Sequence, residues 1–289
     1  MHDFEYRNLD AISRRPDGPS ILVWRGLSTS LDVLPRIGLS WSALEDIVKQ
    51  SGKPALDLGA DFSTLSAEGF VRGIEIVPLD IMLHANREIY VEQTRRAGEM
   101  FSLERYYAGS VPFPRGMDAD GFTMNEADWN TAFHLGAREA LKKGICCDAA
   151  RIPRADRSFS CVIANDSIPK HSPTADEFVL RQLPEVLRVT DHSAYFLPFS
   201  RYVTAWEEST PVMFKEESFA ASAILMQRIE ETAWRYGFSF TLVDAAPLYR
   251  PLMPGEYTEE NTQVGVFRRL PEAAIGDATF GPGLTEFKD

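Results

Sequence analysis

The chain has 289 residues, 30 Lys and Arg against 42 Asp and Glu, and a net charge of −12. With 44% apolar and 25% charged residues it has the composition of a globular protein large enough to bury a core without a disulfide or metal staple. The acidic balance argues against a nucleic-acid surface, which rests on clustered Lys and Arg. The 3 Cys are odd in number and Cys146 and Cys147 are neighbours, which suits a reducing compartment better than a secreted disulfide framework. The opening residues Met1 to Tyr6 carry no basic region followed by an apolar run, so no signal peptide is expected. No apolar stretch is long enough to span a bilayer. The expectation is a soluble, cytoplasmic protein whose partner is a small molecule rather than a nucleic acid or a membrane. Its oligomeric state stays open, a homodimer being one option.

Residues 1–50 read as an arm with at least one helix. Arg15-Pro16-Asp17-Gly18-Pro19 is a loop by composition. Ser42 stands as an N-cap before Ala43, Leu44, Ile47 and Val48, and the helical spacing ends before Gly52. Residues 51–270 then show a regular rhythm. Residues 55–59 form a short apolar run closing on Gly59, a buried strand. Residues 64–70 suit a short helix, and 71–77 a second strand stopped by Pro78. Residues 130–143 predict a helix ended by Gly144, 145–147 a third strand and 159–164 a fourth. An amphipathic helix over 175–188 leads to a fifth strand at 193–199. A helix at 219–236 follows, then strands at 238–243 and 263–268 with no helix between them. Alternating strands and helices imply βαβ units and a mainly parallel sheet, with the last pair an antiparallel edge. Residues 80–128 interrupt this rhythm as an insert with a helical piece (81–96) and a Gly/Pro/aromatic loop (106–122). Residues 271–289 read as a loose tail.

In open parallel sheets ligands bind outside the carboxyl ends of the strands. On this reading the first strand carries Asp57, Gly59 and Asp61, the second Glu75, the third Asp148 and Ala149, and the fourth Asn165 and Asp166. Loops are polar in general, yet four successive strand ends closed by acidic or amide groups point to a site. Glu75 lies 18 residues past Asp57, where a carboxylate can accept from a ribose diol. The first turn lacks a glycine-rich phosphate cradle, and Asp61 would repel a pyrophosphate. A nucleoside bearing positive charge fits better than one bearing phosphates. The histidines show no metal-ligand spacing, so no metal is expected. His171, after the fourth strand, is the weak candidate for a general base.

Three segments carry a family resemblance: Ala55-Leu56-Asp57-Leu58-Gly59, Gly73-Ile74-Glu75-Ile76, and above all Cys147-Asp148-Ala149-Ala150-Arg151-Ile152-Pro153-Arg154-Ala155-Asp156-Arg157-Ser158-Phe159. Together they resemble the core of the class I S-adenosylmethionine-dependent methyltransferases, in particular the small-molecule branch. The resemblance implies a Rossmann-like α/β fold, with a mainly parallel seven-stranded sheet and an antiparallel edge. It implies S-adenosylmethionine as cofactor or as sole substrate. Gly59 would let the backbone approach the methionine part, Asp57 would orient that loop, and Glu75 would hold the ribose hydroxyls. Asp148 would accept from the adenine amine beside the Ala149 N–H. Asn165 would face the amino-acid or sulfonium end, and Tyr202, with Trp206 as runner-up, would turn a ring toward the sulfonium. The family's first motif usually has three small glycine positions, of which only Gly59 is kept; Asp61 and Ser63 stand at the others, and Asp61 would contact the cofactor's ammonium.

The activity so implied is methyl transfer to a small-molecule acceptor, in secondary metabolism. One alternative is cyclisation of S-adenosylmethionine to azetidine-2-carboxylate with release of methylthioadenosine. Another is a catalytically inactive binding or regulatory protein of the same fold. The arm and the insert are expected to cover the site.

Overall fold

The structure is a computed structural model. It describes residues 3–7, 10–14, 21–23, 33–60, 63–81, 83, 126–165, 167–169, 172, 174–199, 222–246 and 263–271. The expected insert helix and aromatic loop, the tail, and Asp61, Asp166, His171, Tyr202 and Trp206 lie outside the described residues.

The arm is not wholly helical. It holds three short strands, β1 (Asp3–Arg7), β2 (Asp10–Arg14) and β3 (Ile21–Val23), paired antiparallel in that order. The expected helix follows as α1 (Trp41–Ser51). Its cap is Ser40 rather than Ser42: the Ser40 Oγ accepts from the Ala43 N–H at 3.1 Å, and Gly52 closes the other end in the left-handed region at φ 66°.

Among the described residues the second sheet has 6 strands. They are β4 (Ala55–Leu58), β5 (Ile76–Leu79), β6 (Phe159–Asn165), β7 (Thr190–Leu197), β8 (Phe238–Asp244) and β9 (Gln263–Arg269), in spatial order β5-β4-β6-β7-β9-β8. The pairs β5·β4, β4·β6 and β6·β7 are parallel, and β9 runs antiparallel to both its neighbours, as expected of the final pair. The connecting helices are α2 (Leu65–Val71), α3 (Glu126–Lys143), α4 (Ala175–Glu177), a π-helical turn (Phe178–Gln182), α5 (Leu183–Val189) and α6 (Ser222–Arg235). Among the described residues no helix is long and apolar enough to cross a membrane.

Two expectations about strands are corrected. The second strand does not run over 71–77. Val71 ends α2, Gly73 turns the chain at φ 73°, and the strand starts at Ile76 and passes through Pro78. The expected third strand shrinks to one parallel bridge, Leu79 to Ile145. Pro78 accounts for the second. Its carbonyl accepts from the Ile145 N–H at 2.9 Å, so its backbone faces that edge, and the Asp80 N–H donates to the Ile145 carbonyl at 3.1 Å. Lacking an N–H, Pro78 cannot extend the ladder toward residue 143. A proline on the outer side of an edge strand is tolerated, and here it limits the next strand to one rung.

Alternation along the strands divides the core. Leu56, Leu58, Val162, Ala164, Ala194 and Phe196 face one way, against Phe178, Leu183, Val186 and Ile229 of the later helices. Ala55, Cys161, Ile163, Tyr195 and Leu197 face the other way, against Leu34, Trp41, Leu44 and Leu65. By the period of two, Asp57 lies on this second face. On the β5 flank α2 and α3 pack so closely at Gly136 that an added Cβ would lie 2.7 Å from the Ala67 carbonyl and 3.2 Å from the Phe70 Cβ. The expected outcome for Gly136→Val is destabilisation by about 1–3 kcal/mol, read as a lower urea midpoint at unchanged m-value.

Candidate functional site

The sheet order reverses between β4 and β6: from β4 the chain goes outward to β5, then returns to place β6 on the other side. A crevice at the carboxyl ends of strands beside such a reversal is where open α/β sheets bind ligands. Asp57, Gly59, Asp80, Asn165 and Ser167 lie at this edge, and Asp148 follows the bridge residue Ile145.

Asp57 is buried at 2% exposure, and its Oδ2 has no hydrogen-bond partner among the described residues. Burial pushes its carboxyl up to about 7; a Ser63 hydrogen bond opposes the rise, and the negative charge of Asp80 adds to it. The strand geometry forces this environment. Asp57 is paired to Pro78 on one side and Ile163 on the other, in the middle of a strand with every residue buried.

Gly59 turns the chain at φ 73°, and its N–H donates to the Leu79 carbonyl at 2.7 Å. A Cβ there would fall 2.1 Å from the Ser167 Cβ and 2.9 Å from its Oγ. The glycine therefore admits Ser167 at close range, a packing need that the sequence reading did not give it. Ser167 is itself buried, and its Oγ lacks a partner. Sequence reasoning places Ser167 at the end of the fourth strand but gives it no role, because its contact with Gly59 is long-range.

Glu75 stands at the wrong end of its strand. Its carbonyl accepts from the Ala55 N–H at 2.9 Å, where β4 begins, and its exposed carboxylate pairs with Lys143 Nζ at 2.7 Å. The register Ala55 to Ile76 puts it at the amino edge of the sheet, away from the crevice. The acid that does close β5 is Asp80, which the sequence reading assigned to the insert. Its signal was present: a turn at Gly73 leaves Ile76-Val77-Pro78-Leu79 as the apolar run that Asp80 terminates.

Asp148 and Ala149 begin the loop after Ile145. The Asp148 Oδ1 accepts from the Ala150 N–H at 2.8 Å, and its carbonyl accepts from the Arg151 N–H at 3.0 Å, which fixes the carboxylate in a turn with Asp148 exposed. Asn165 closes β6, half-buried and level with Leu197. The structure thus brings Asp57, Gly59 and Asn165 to one edge, with Asp148 and Ala149 next to it, and removes Glu75. Among the described residues no cluster of His, Cys, Asp and Glu could hold a metal ion. Cys147 and Cys161 are pushed up to about 11 and about 12, chiefly by burial, so neither thiol is poised as a nucleophile. Cys146, expected within a strand, is exposed.

No protein-family model matches the chain, and no curated protein matches it in sequence. Solved structures do match in shape. The magnesium protoporphyrin IX methyltransferase of Synechocystis, with bound S-adenosylhomocysteine, has 12% identity and a TM-score of 0.41, over 79% of this chain and 80% of that one. A methyltransferase from Methanosarcina mazei has 13% identity and a TM-score of 0.40, over 76% and 93%. The [4+2]-cyclase SpnF has 13% identity and a TM-score of 0.38, over 81% and 84%. The fold assignment rests on the sheet itself. With the bridge at Ile145 as a reduced third strand, the order is third, second, first, fourth, fifth, seventh, sixth, and only the seventh is antiparallel. The described residues form a Rossmann-like α/β fold, a mainly parallel sheet with one antiparallel strand next to the far edge.

A folded-state value of about 7 for Asp57, against about 3.9 in an unfolded chain, has a defined sign. The unfolded state ionises first, so the contribution of Asp57 to stability is fullest below about pH 4 and is lost as pH rises toward 7. Asp57→Asn removes that loss. Relative to the parent, urea unfolding of the variant should gain on the order of 2–4 kcal/mol between pH 4 and pH 8.

Proposed function

We propose that the chain binds S-adenosylmethionine across the carboxyl ends of β4, β5 and β6 and transfers its methyl group to a small-molecule acceptor. The observation that carries this reading is the set of carboxyl groups at the sheet reversal, Asp57, Asp80 and Asp148, of which Asp57 keeps a buried oxygen without a partner. Such a set repels phosphate and suits a ligand that brings positive charge and hydrogen-bond donors. A sulfonium, an ammonium, a ribose diol and an adenine amine answer to that description. When bound, the cofactor supplies an electrophilic methyl carbon.

The chain's residues then bind and orient. Asp80 takes the role expected of Glu75 and accepts from the ribose hydroxyls. Asp148 accepts from the adenine amine, with the Ala149 N–H beside it. Asn165 holds the amino-acid or sulfonium end, Asp61 meets the ammonium, and Tyr202 faces the sulfonium. Methyl transfer asks for an in-line approach and exclusion of water more than for acid–base groups. In this reading the protein works in the cytoplasm in secondary metabolism, on a small molecule, without a nucleic-acid or membrane partner.

One observation favours the cyclisation reading. Ser167 fills the space over Gly59, so the methionine side of the crevice departs from a glycine-lined loop. A bent methionine chain, with its own amine in line with the γ-carbon, then becomes an option, and methylthioadenosine would leave.

Calorimetry tests the placement. Asp80→Ala removes a charge-assisted hydrogen bond of about 1.5–3 kcal/mol and should weaken S-adenosylmethionine binding by roughly 10- to 100-fold, while Glu75→Ala binds as the parent does. Equal affinity in parent and Asp80→Ala would sink the placement. Mass spectrometry after incubation with S-adenosylmethionine alone separates the reactions. Accumulating methylthioadenosine means cyclisation; its absence, with S-adenosylhomocysteine formed once an acceptor is supplied, means transfer.

A further inference from the structure

The loop that carries Asp148 and Ala149 is held from outside by a single helix turn. Arg188, near the end of α5, donates through Nη1 to the Arg154 carbonyl at 2.9 Å and to the Asp156 carboxylate at 2.6 Å. Its Nη2 donates to the Ile152 carbonyl at 3.1 Å. Glu185, one turn earlier, accepts from the Ile152 N–H at 2.7 Å and from both Nε and Nη2 of Arg188 at 2.8 Å. The Arg157 N–H returns the contact, donating to the Arg188 carbonyl at 2.8 Å. Every second residue of the segment from 152 to 156 is thus tied to two side chains more than 25 positions along the chain.

The planar guanidinium is what makes this possible. Its donors lie in a rigid fork, so one side chain reads two carbonyls and two carboxylates at fixed angles, which an ammonium cannot do. Both partners are partly shielded, with side-chain exposures of 27% for Arg188 and 18% for Glu185. The Arg188 hydrogen bond first of all holds the Glu185 carboxyl below its usual range. Ile152, clamped on its N–H and its carbonyl, is also sunk in the core at 2% exposure. Three residues before it lies Ala149, and next to that Asp148, held by its own turn.

We propose that Arg188 and Glu185 are positioning residues for recognition of the purine base: by clamping residues 152–157 they fix the angle at which Asp148 and Ala149 meet the 6-amino edge of adenine. The proposal rests on the cofactor reading above, since it needs the base to lie at Asp148. A carboxylate fixed in place accepts from a 6-amine and opposes a 6-oxo group. A carboxylate on a loose loop turns away from the wrong base, and discrimination falls.

The test compares S-adenosylhomocysteine with S-inosylhomocysteine, by calorimetry, on the parent, Arg188→Lys and Glu185→Gln. Amide hydrogen exchange of the same three proteins without ligand goes alongside. The parent should prefer the adenine compound by about tenfold or more. Both variants should lose most of that ratio, with faster exchange over 148–157 and unchanged exchange in β6 and β7. A merely structural role would lower affinity for both nucleosides and leave the ratio intact. That result, or unchanged loop exchange in both variants, overturns the proposal. A parent that binds neither nucleoside overturns the cofactor reading and this role with it, while the exchange data still report separately on the clamp.

Discussion

Strand β4 sits between β5 and β6 with all of its residues buried, and one of them is an aspartate. Placing a carboxyl there opposes folding unless it is neutral or met by hydrogen bonds. It lies in register with Pro78 on one side and Ile163 on the other, inside a strand whose residues are all buried. The neighbourhood is arranged around that constraint. The chain leaves β4 by a left-handed turn at Gly59, returns at Ser63 to bond Asp57, and starts α2 two residues later. Ser63 serves this turn as well, its Oγ accepting from the Leu65 N–H at 3.2 Å.

The sheet was legible in the sequence because its strands are apolar runs punctuated by glycines and caps. The runs at β4, β6, β8 and β9 differ from expectation by a residue or so at their ends. What misled was Pro78. A proline after an apolar run reads as a stop, and it would be one in a central strand. On an edge whose outer neighbour makes a single rung it costs little, and that fact belongs to tertiary structure. The displaced register moved the acid of the second strand from Glu75 to Asp80. One local misreading thus changed a site residue, since a strand's two ends lie at opposite edges of the sheet.

Other parts were illegible for different reasons. β1 to β3 are short strands in a segment without a long alternating run, and their pairing depends on turns. The π-helical turn at Phe178–Gln182 interrupts a helix whose apolar spacing looks regular. It buries Gln182, which accepts from the Ser172 Oγ, and leaves Leu180 exposed. A polar residue so placed costs little only because Ser172 reaches it from ten positions away in sequence. Ser167 is the same kind of case within the site. Its closeness to Gly59 comes from two strand ends meeting, and no periodicity records it.

The two edges of the sheet treat the same side chain in opposite ways. At the amino edge Asp191 is the second residue of β7, and burial would push its carboxyl up, yet hydrogen bonds from Lys53, Arg157 and Ser51 take it down to about 2. Arg269 completes that edge by donating to the Asp191 and Thr190 carbonyls at 2.7 and 2.6 Å. At the carboxyl edge Asp57 stands near 7, with Asp80 as its charged neighbour and an oxygen left unpaired. Paired charges at one edge stabilise the fold and ask for nothing further. An acid kept near neutrality by burial has no cation beside it among the described residues, and a ligand that supplies one would drive off its proton. Binding at the carboxyl edge would therefore relieve a cost that folding imposed on β4, which gives a cationic ligand an advantage over a neutral one of the same shape.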